Sequence, residues 1–190
     1  MSADPLSEAG GPVPRPLTTA DVLAMVRGGT MAADERVELV DGELLRMSPK
    51  NRRHELVKDW LIERAGDLRA NAYKVSVEGT LYLSDTTFVE PDIALIPRGT
   101  VITELDGTDV LLVIEVSDTT RRHDLVAKRR KYAQHGIRDY WVVDVTRERT
   151  VVHREPHGED YTQVVEVNDA DLLTALLAPA FSVRIGDAVA

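Results

Sequence analysis

The sequence predicts an α/β (α+β) domain, a mixed sheet flanked by helices, and three observations predict it. Two long segments carry helical spacing. The order helix, hairpin, helix, three strand-like runs, helix, further strand-like runs gives helices to cover a sheet. Finally "LLVIEVS", Leu111 to Ser117, shows no polar alternation, as expected of a strand covered on both faces.

Met1 to Pro16 is rich in Pro, Gly, Ser and Ala and cannot offset its ordering entropy by burial, so residues 1–16 are expected as a flexible tail and 17–190 as a single domain. "PLTTADVLAMVRGG" reads as a short helix capped by Thr18 or Thr19, with Asp21 in its first turn and glycines after its last. "ERVELVDGELLRMSP" reads as two strands about Asp41-Gly42, a dipeptide suited to a tight hairpin turn. In "NRRHELVKDWLIERAGDLRA" the spacing of Leu56, Trp60, Leu61 and Leu68 predicts an amphipathic helix. "YKVSVEGTLYL", "FVEPDIALIP" and "LLVIEVS" are strand-like, and "TTRRHDLVAKRRKYAQHG" is a second long helix, capped by a hydroxyl residue and closed by Gly136. "RDYWVVDV", "TVVHRE" and "DYTQVVEV" return to strands, and the last segment predicts a short helix or turn and a final strand.

The 190 residues suit one core, and the absence of cysteine excludes disulfides, thiolate zinc sites and thiol catalysis. No apolar stretch approaches the roughly 18 residues that span a bilayer, and no secretion signal opens the chain, so the expectation is a cytoplasmic protein without a membrane partner. With 32 acidic and 23 basic side chains the formal charge is -9, which argues against whole-molecule attraction to nucleic acid; such a partner must be met locally.

Glu115 stands inside the dry "LLVIEVS" run, where an unpartnered carboxylate is costly. Pro91 cannot donate to a strand ladder, so Asp92 is expected at a strand start, before "IALI". Consecutive strands are usually neighbours, which lets Asp92 and Glu115 converge. Converging oxygens suit a hard cation such as Mg²⁺; equally, Asp92 could cap a turn and Glu115 pair with an arginine of the basic helix. Asp124 and Lys128 lie four apart on that helix, on one face, and Tyr132 continues the line, so Lys128 can project toward the carboxylates. Arg121, Arg122 and Arg129 belong to the one dense basic stretch of an acidic chain, and are read either as a solvated face or as phosphate contacts.

Together "VEPDIALIP", "LLVIEVSDTTRRHDLVAKRRKYAQHGIRDYWVVD" and "VELVDGEL" resemble the Uma-two family of the PD-(D/E)xK, restriction-endonuclease-like, nuclease superfamily, from roughly Val37 through Asp144. The resemblance implies a restriction-endonuclease-like core, a divalent metal held by Asp92 and Glu115, and phosphodiester hydrolysis. The superfamily's usual lysine, two positions after the glutamate, is here Ser117, and the resemblance makes Lys128 its replacement from the next helix. Glu38 matches the family's early acid, and His54 falls where the family tends to show a histidine. Tyr140 and Trp141 read most simply as core strand aromatics, the floor of the site being an alternative place for Trp141, and His153 and His157 are assigned no role.

The resulting expectation is a Mg²⁺- or Mn²⁺-dependent endonuclease acting on DNA, with catalytic Asp92, Glu115 and Lys128 and with Glu38 and Asp124 as extra site residues. The alternative is a catalytically weak or inactive nuclease-fold protein that binds nucleic acid or a protein partner, which Ser117 and the acidity favour. A homodimer would let such an enzyme cut both strands, though an amphipathic exterior alone does not show one.

Overall fold

A computed structural model describes residues 15–47, 51–68, 72–117 and 122–188, the side chains of 68 and 122–125 excepted. Its helices are α1 (Thr19–Arg27), α2 (Arg52–Leu68) and α3 (Arg122–Gln134). The strands are β1 (Val37–Val40), β2 (Glu43–Arg46), β3 (Lys74–Val77), β4 (Leu81–Ser84), β5 (Thr87–Val89), β6 (Ile93–Ile96), β7 (Leu112–Ser117), β8 (Asp139–Asp144), β9 (Arg149–His157), β10 (Asp160–Asn168), β11 (Leu173–Thr174) and β12 (Ser182–Val183).

The main sheet has the order β10-β9-β8-β7-β6-β3; β7 and β8 run parallel and its other neighbours antiparallel, so it is mixed as expected. A smaller antiparallel sheet, β2-β1-β5-β4, stands beside it. Two runs that read as single strands are each divided between the two sheets. "YKVSVEGTLYL" breaks after β3, where Glu78 takes φ +48, and "FVEPDIALIP" breaks at Pro91, where the ladder loses a donor.

Strand alternation splits the core. Ile93, Leu95, Leu112, Ile114, Val116, Trp141 and Val143 face α2 and the β11–β12 hairpin. Ala94, Ile96, Val113 and Tyr140 face α3 and the small sheet. Each fully buried large side chain contributes about 1.5–3 kcal/mol. The face of α2 agrees in part with its expected one: Leu61 is buried and Trp60 packs on the core, but Leu56 is 51% exposed, His54, Val57, Lys58 and Ala65 point inward instead, and the side chain of Leu68 lies outside the described residues. Two polar residues take core positions there because each meets a carboxylate, His54 at Asp92 and Lys58 at Glu78.

Local signals explain the element ends. Thr18 and Asp21 form a reciprocal capping box on α1. Asp41 and Gly42 take φ +52 and +81, the geometry of a tight hairpin turn. Gly136, at φ +73, ends α3, and its N–H donates to the Ala133 carbonyl at 3.0 Å. Lys131 of α3 donates to Asp41 at 2.7 Å, tying that helix to the small sheet. Gly107 approaches the end of α3 so closely that a Cβ there would lie 2.3 Å from the His135 carbonyl oxygen.

Residues 1–14 of the expected tail lie outside the described residues; Arg15 pairs with Asp21 at 3.0 Å, and the Leu17 N–H donates to Gly42 at 3.0 Å. The C-terminal segment forms the β11–β12 hairpin, so the expected last strand is Ser182–Val183, reached through a turn rather than a helix, and a 3-10 turn follows at Ile185–Ala188. Among the described residues no helix is long and apolar enough to cross a membrane.

Candidate active site

Asp92 precedes β6, and the antiparallel register explains its place. The ladder ends at the Ile93–Ile114 pair; Asp92 stands in the bend just before Ile93 and Glu115 just after Ile114, so the two acids lie near the same end of the β6–β7 pairing. Asp92 Oδ2 accepts the Val116 N–H at 2.8 Å and lies 3.2 Å from His54 Nε2. The Asn51 side chain in turn accepts the His54 N–H at 2.9 Å at the start of α2. Asp92 and His54 are both buried, so this contact fixes the aspartate within a dry setting.

Glu115 is fully buried. Its Oε1 accepts from Lys128 Nζ at 2.9 Å and from the Tyr132 hydroxyl at 2.8 Å. Among the described residues Oε2 has no hydrogen-bond partner. Lys128 also donates to Glu38 Oε1 at 2.7 Å, and the Glu90 N–H donates to the same oxygen at 2.8 Å. Glu38 belongs to β1, so the small sheet supplies one carboxylate and the main sheet two.

The electrostatics follow from this crowding. Burial raises the Glu115 carboxyl above its ordinary value; Lys128 opposes that shift, and Asp92 and Glu38 reinforce it. Burial works against the Lys128 charge, but Glu115 and Glu38 outweigh it and hold the ammonium above the usual lysine value. Burial, with Glu115 adjacent, pushes Tyr132 well above an ordinary tyrosine, which keeps it a hydrogen-bond donor.

The structure therefore brings Asp92, Glu115, Lys128 and Glu38 together. The basic-helix partner of Glu115 is a lysine rather than an arginine, and Lys128 reaches it although Ser117 occupies the usual lysine position. Arg121 and the side chains of Arg122 and Asp124 lie outside the described residues. Arg129 points elsewhere, 3.5 Å from Asp160. Trp141 does not floor the site: it packs on the opposite face of the sheet, and its indole donates to Asp139 at 2.9 Å. Sequence reading passed over the contact between His54 and Asp92, which joins residues 38 apart and leaves no periodic trace.

Among the described residues no three His, Asp or Glu side chains form a ready metal cage. Mg²⁺ needs none, because it keeps several waters and is bound through one or two carboxylates. Asp92 and Glu115 are hard oxygen donors, and the buried Oε2 of Glu115 awaits a positive partner, so the donor set fits such an ion.

The fold is a mixed sheet with helices on both faces, and acids gather where its adjoining strands begin and end. The chain belongs to the Uma2 family, described as "Putative restriction endonuclease", whose profile matches residues 20–186. Its fold matches that of a crystal structure described as a "putative nuclease belonging to DUF820 from Anabaena variabilis ATCC 29413", at 14% identity and TM-score 0.73, over 91% of this chain and 97% of that one. A cryo-EM structure of a DrdV–DNA complex matches at 16% identity and TM-score 0.33, over 60% of this chain and 12% of that one, too distant to argue from. No curated protein matches the chain.

Proposed function

We propose that this member of the Uma2 family is a Mg²⁺- or Mn²⁺-dependent endonuclease that hydrolyses phosphodiester bonds in DNA, in the cytoplasm. The observation that supports it is the pair of buried carboxylates, Asp92 just before β6 and Glu115 within β7, close enough for Asp92 to raise the Glu115 carboxyl, with Glu115 Oε2 unpartnered among the described residues. Asp92 and Glu115 would hold the ion; when bound, such an ion polarises a phosphate and lowers the pKa of a bound water.

The rest falls to the chain's own groups. The Val116 N–H and His54 orient Asp92, and Lys128 and Tyr132 fix Glu115 through one oxygen, leaving the other free to bind. An ammonium has three donors, of which Glu38 and Glu115 take two. The third would meet a phosphate oxygen, where a fixed charge in a dry site stabilises the negative charge that develops during cleavage. Cutting both strands calls for a second centre, which a symmetric pair of chains would supply.

The test incubates supercoiled and single-stranded DNA with the protein in Mg²⁺, Mn²⁺ or chelator. Cleavage that survives chelation or Glu115→Gln overturns the proposal. The second reading, a nuclease-fold protein that binds nucleic acid or a partner without cutting, draws on Ser117 at the usual lysine position and on the charge of -9. Metal titration calorimetry separates the two: binding abolished by Asp92→Asn supports the enzyme, and no binding at all supports the second reading.

A further inference from the structure

A cleft of about 290 Å³ opens between α3 and strands β8 and β9, on the same face of the sheet as Glu115. The register sets its floor. Val142 pairs with Glu115 and Asp144 with Ser117, so the cleft begins one strand over from the candidate site. Tyr140 pairs with His153 on the next strand, and their rings stack with centroids 5.0 Å apart and planes at 25°.

Its polar chemistry is unfinished. Tyr140 is fully buried and His153 is 5% exposed, and both line the cleft. Among the described residues neither the Tyr140 hydroxyl nor His153 Nδ1 has a hydrogen-bond partner. Nε of Arg129 and Nε of Arg149, also lining residues, are buried without partners as well. Native interiors leave few such groups unsatisfied, and each asks for an explanation. Burial pushes His153 down to about 4, so near neutrality its ring is uncharged and offers one N–H and one acceptor.

Charge and shape narrow the ligand. Three arginines, Arg129, Arg147 and Arg149, face the cleft against Asp144 and Glu166, which leaves one positive charge in excess. Arg147 is 3.7 Å from Asp144 and Arg149 pairs with Glu166, whereas Arg129 makes only its long contact to Asp160, outside the cleft lining. A bare anion would use the arginines but not the stacked rings or the valine walls of Val126, Val142 and Val151. A flat heterocycle carrying a phosphate uses all of them, and the volume sits at the lower end for small-ligand clefts, roughly 300 Å³.

We infer that this cleft binds one nucleotide, its phosphate against Arg129 and its base over the Tyr140–His153 floor. The choice of a nucleotide rests on the nuclease reading; the unsatisfied cleft does not. In a DNA strand the occupant would be a nucleotide near the scissile phosphate, which would give an acidic protein a local grip on its substrate.

The experiment titrates the full chain with 5′-dAMP, inorganic phosphate and a short single-stranded oligonucleotide, in chelator so that cleavage plays no part. Expected is dAMP binding that exceeds phosphate binding, weakened at least tenfold by Arg129→Gln and roughly threefold to tenfold by Tyr140→Phe, the range of one neutral hydrogen bond. Circular dichroism of both variants confirms that they fold. An oligonucleotide that displaces dAMP assigns the cleft to a strand, and one that does not assigns it to a free nucleotide; both uphold the inference. No dAMP binding, phosphate bound as well as dAMP, or binding indifferent to both variants overturns it. Loss of metal-dependent cleavage alone would instead strike the nuclease reading, so the two failures are distinguishable.

Discussion

The two faces of the main sheet each bury a carboxylate, and they treat it differently. On the α2 face Asp139 accepts from Trp141 Nε1 at 2.9 Å, from Arg154 at 2.8 and 3.3 Å, and from the Leu176 N–H at 2.6 Å, so both its oxygens are taken. On the α3 face Glu115 spends one oxygen on Lys128 and Tyr132 and leaves the other without a partner. The unpaired Tyr140 hydroxyl, His153 Nδ1 and Arg129 Nε belong to that face too; Thr150 Oγ1 is an unpaired atom on the other. Burial alone therefore does not separate these two acids. What distinguishes them is whether the protein itself completes the hydrogen bonding.

Substitutions can break that contrast. Asp139→Ala should have the largest effect, lowering unfolding free energy by about 3–5 kcal/mol because Arg154 and two N–H groups lose their acceptor, with no change in metal affinity. Denaturant titration and calorimetry check both halves. Glu115→Gln should lower cleavage about 100-fold or more, about 2.7 kcal/mol, yet shift stability by only about 1 kcal/mol, since Lys128 keeps Glu38. A stability loss matching that of Asp139→Ala would erase the distinction between the faces.

Two smaller effects sharpen it. His153 has its folded pKa depressed from 6.5 to about 4, so below 6.5 the unfolded chain takes up a proton that the folded chain refuses. Its contribution to stability is present above pH 6.5 and is lost as pH falls toward about 4, at up to about 1.4 kcal/mol per pH unit. His153→Phe should flatten that slope in pH-dependent unfolding. Tyr132→Phe should cost about 1 kcal/mol, one hydrogen bond to Glu115, and leave the α2 face untouched by amide exchange.

Much of the site was legible because it is built from local rules. Pro91 marked a strand break at Asp92, the dry run marked β7, and a spacing of four residues set Lys128 and Tyr132 on the inner side of α3. Hydrophobic spacing found Leu61 and Trp60 on the buried face of α2 but missed His54 and Lys58, which go inward for partners 38 and 20 residues distant. Trp141 is the core aromatic its strand suggested, but alternation along β8 says only that neighbours diverge, not which face holds Asp139, so its place away from the site was not legible. Apolar runs announced strands without saying which sheet takes them, and the switch rests on single residues such as Glu78 with its positive φ. The cleft is assembled from one helix and several strands, so no stretch of sequence contains it.

Gly107 sits outside both acid clusters, yet it is where the α3 terminus comes to rest. A methyl group there would collide with the backbone at His135, and the helix bearing Lys128 and Arg129 would have to slide to make room. A scan of variants should consequently find a silent-looking hinge stop at this glycine: a position with no chemistry of its own whose enlargement throws the ammonium and the guanidinium out of alignment together.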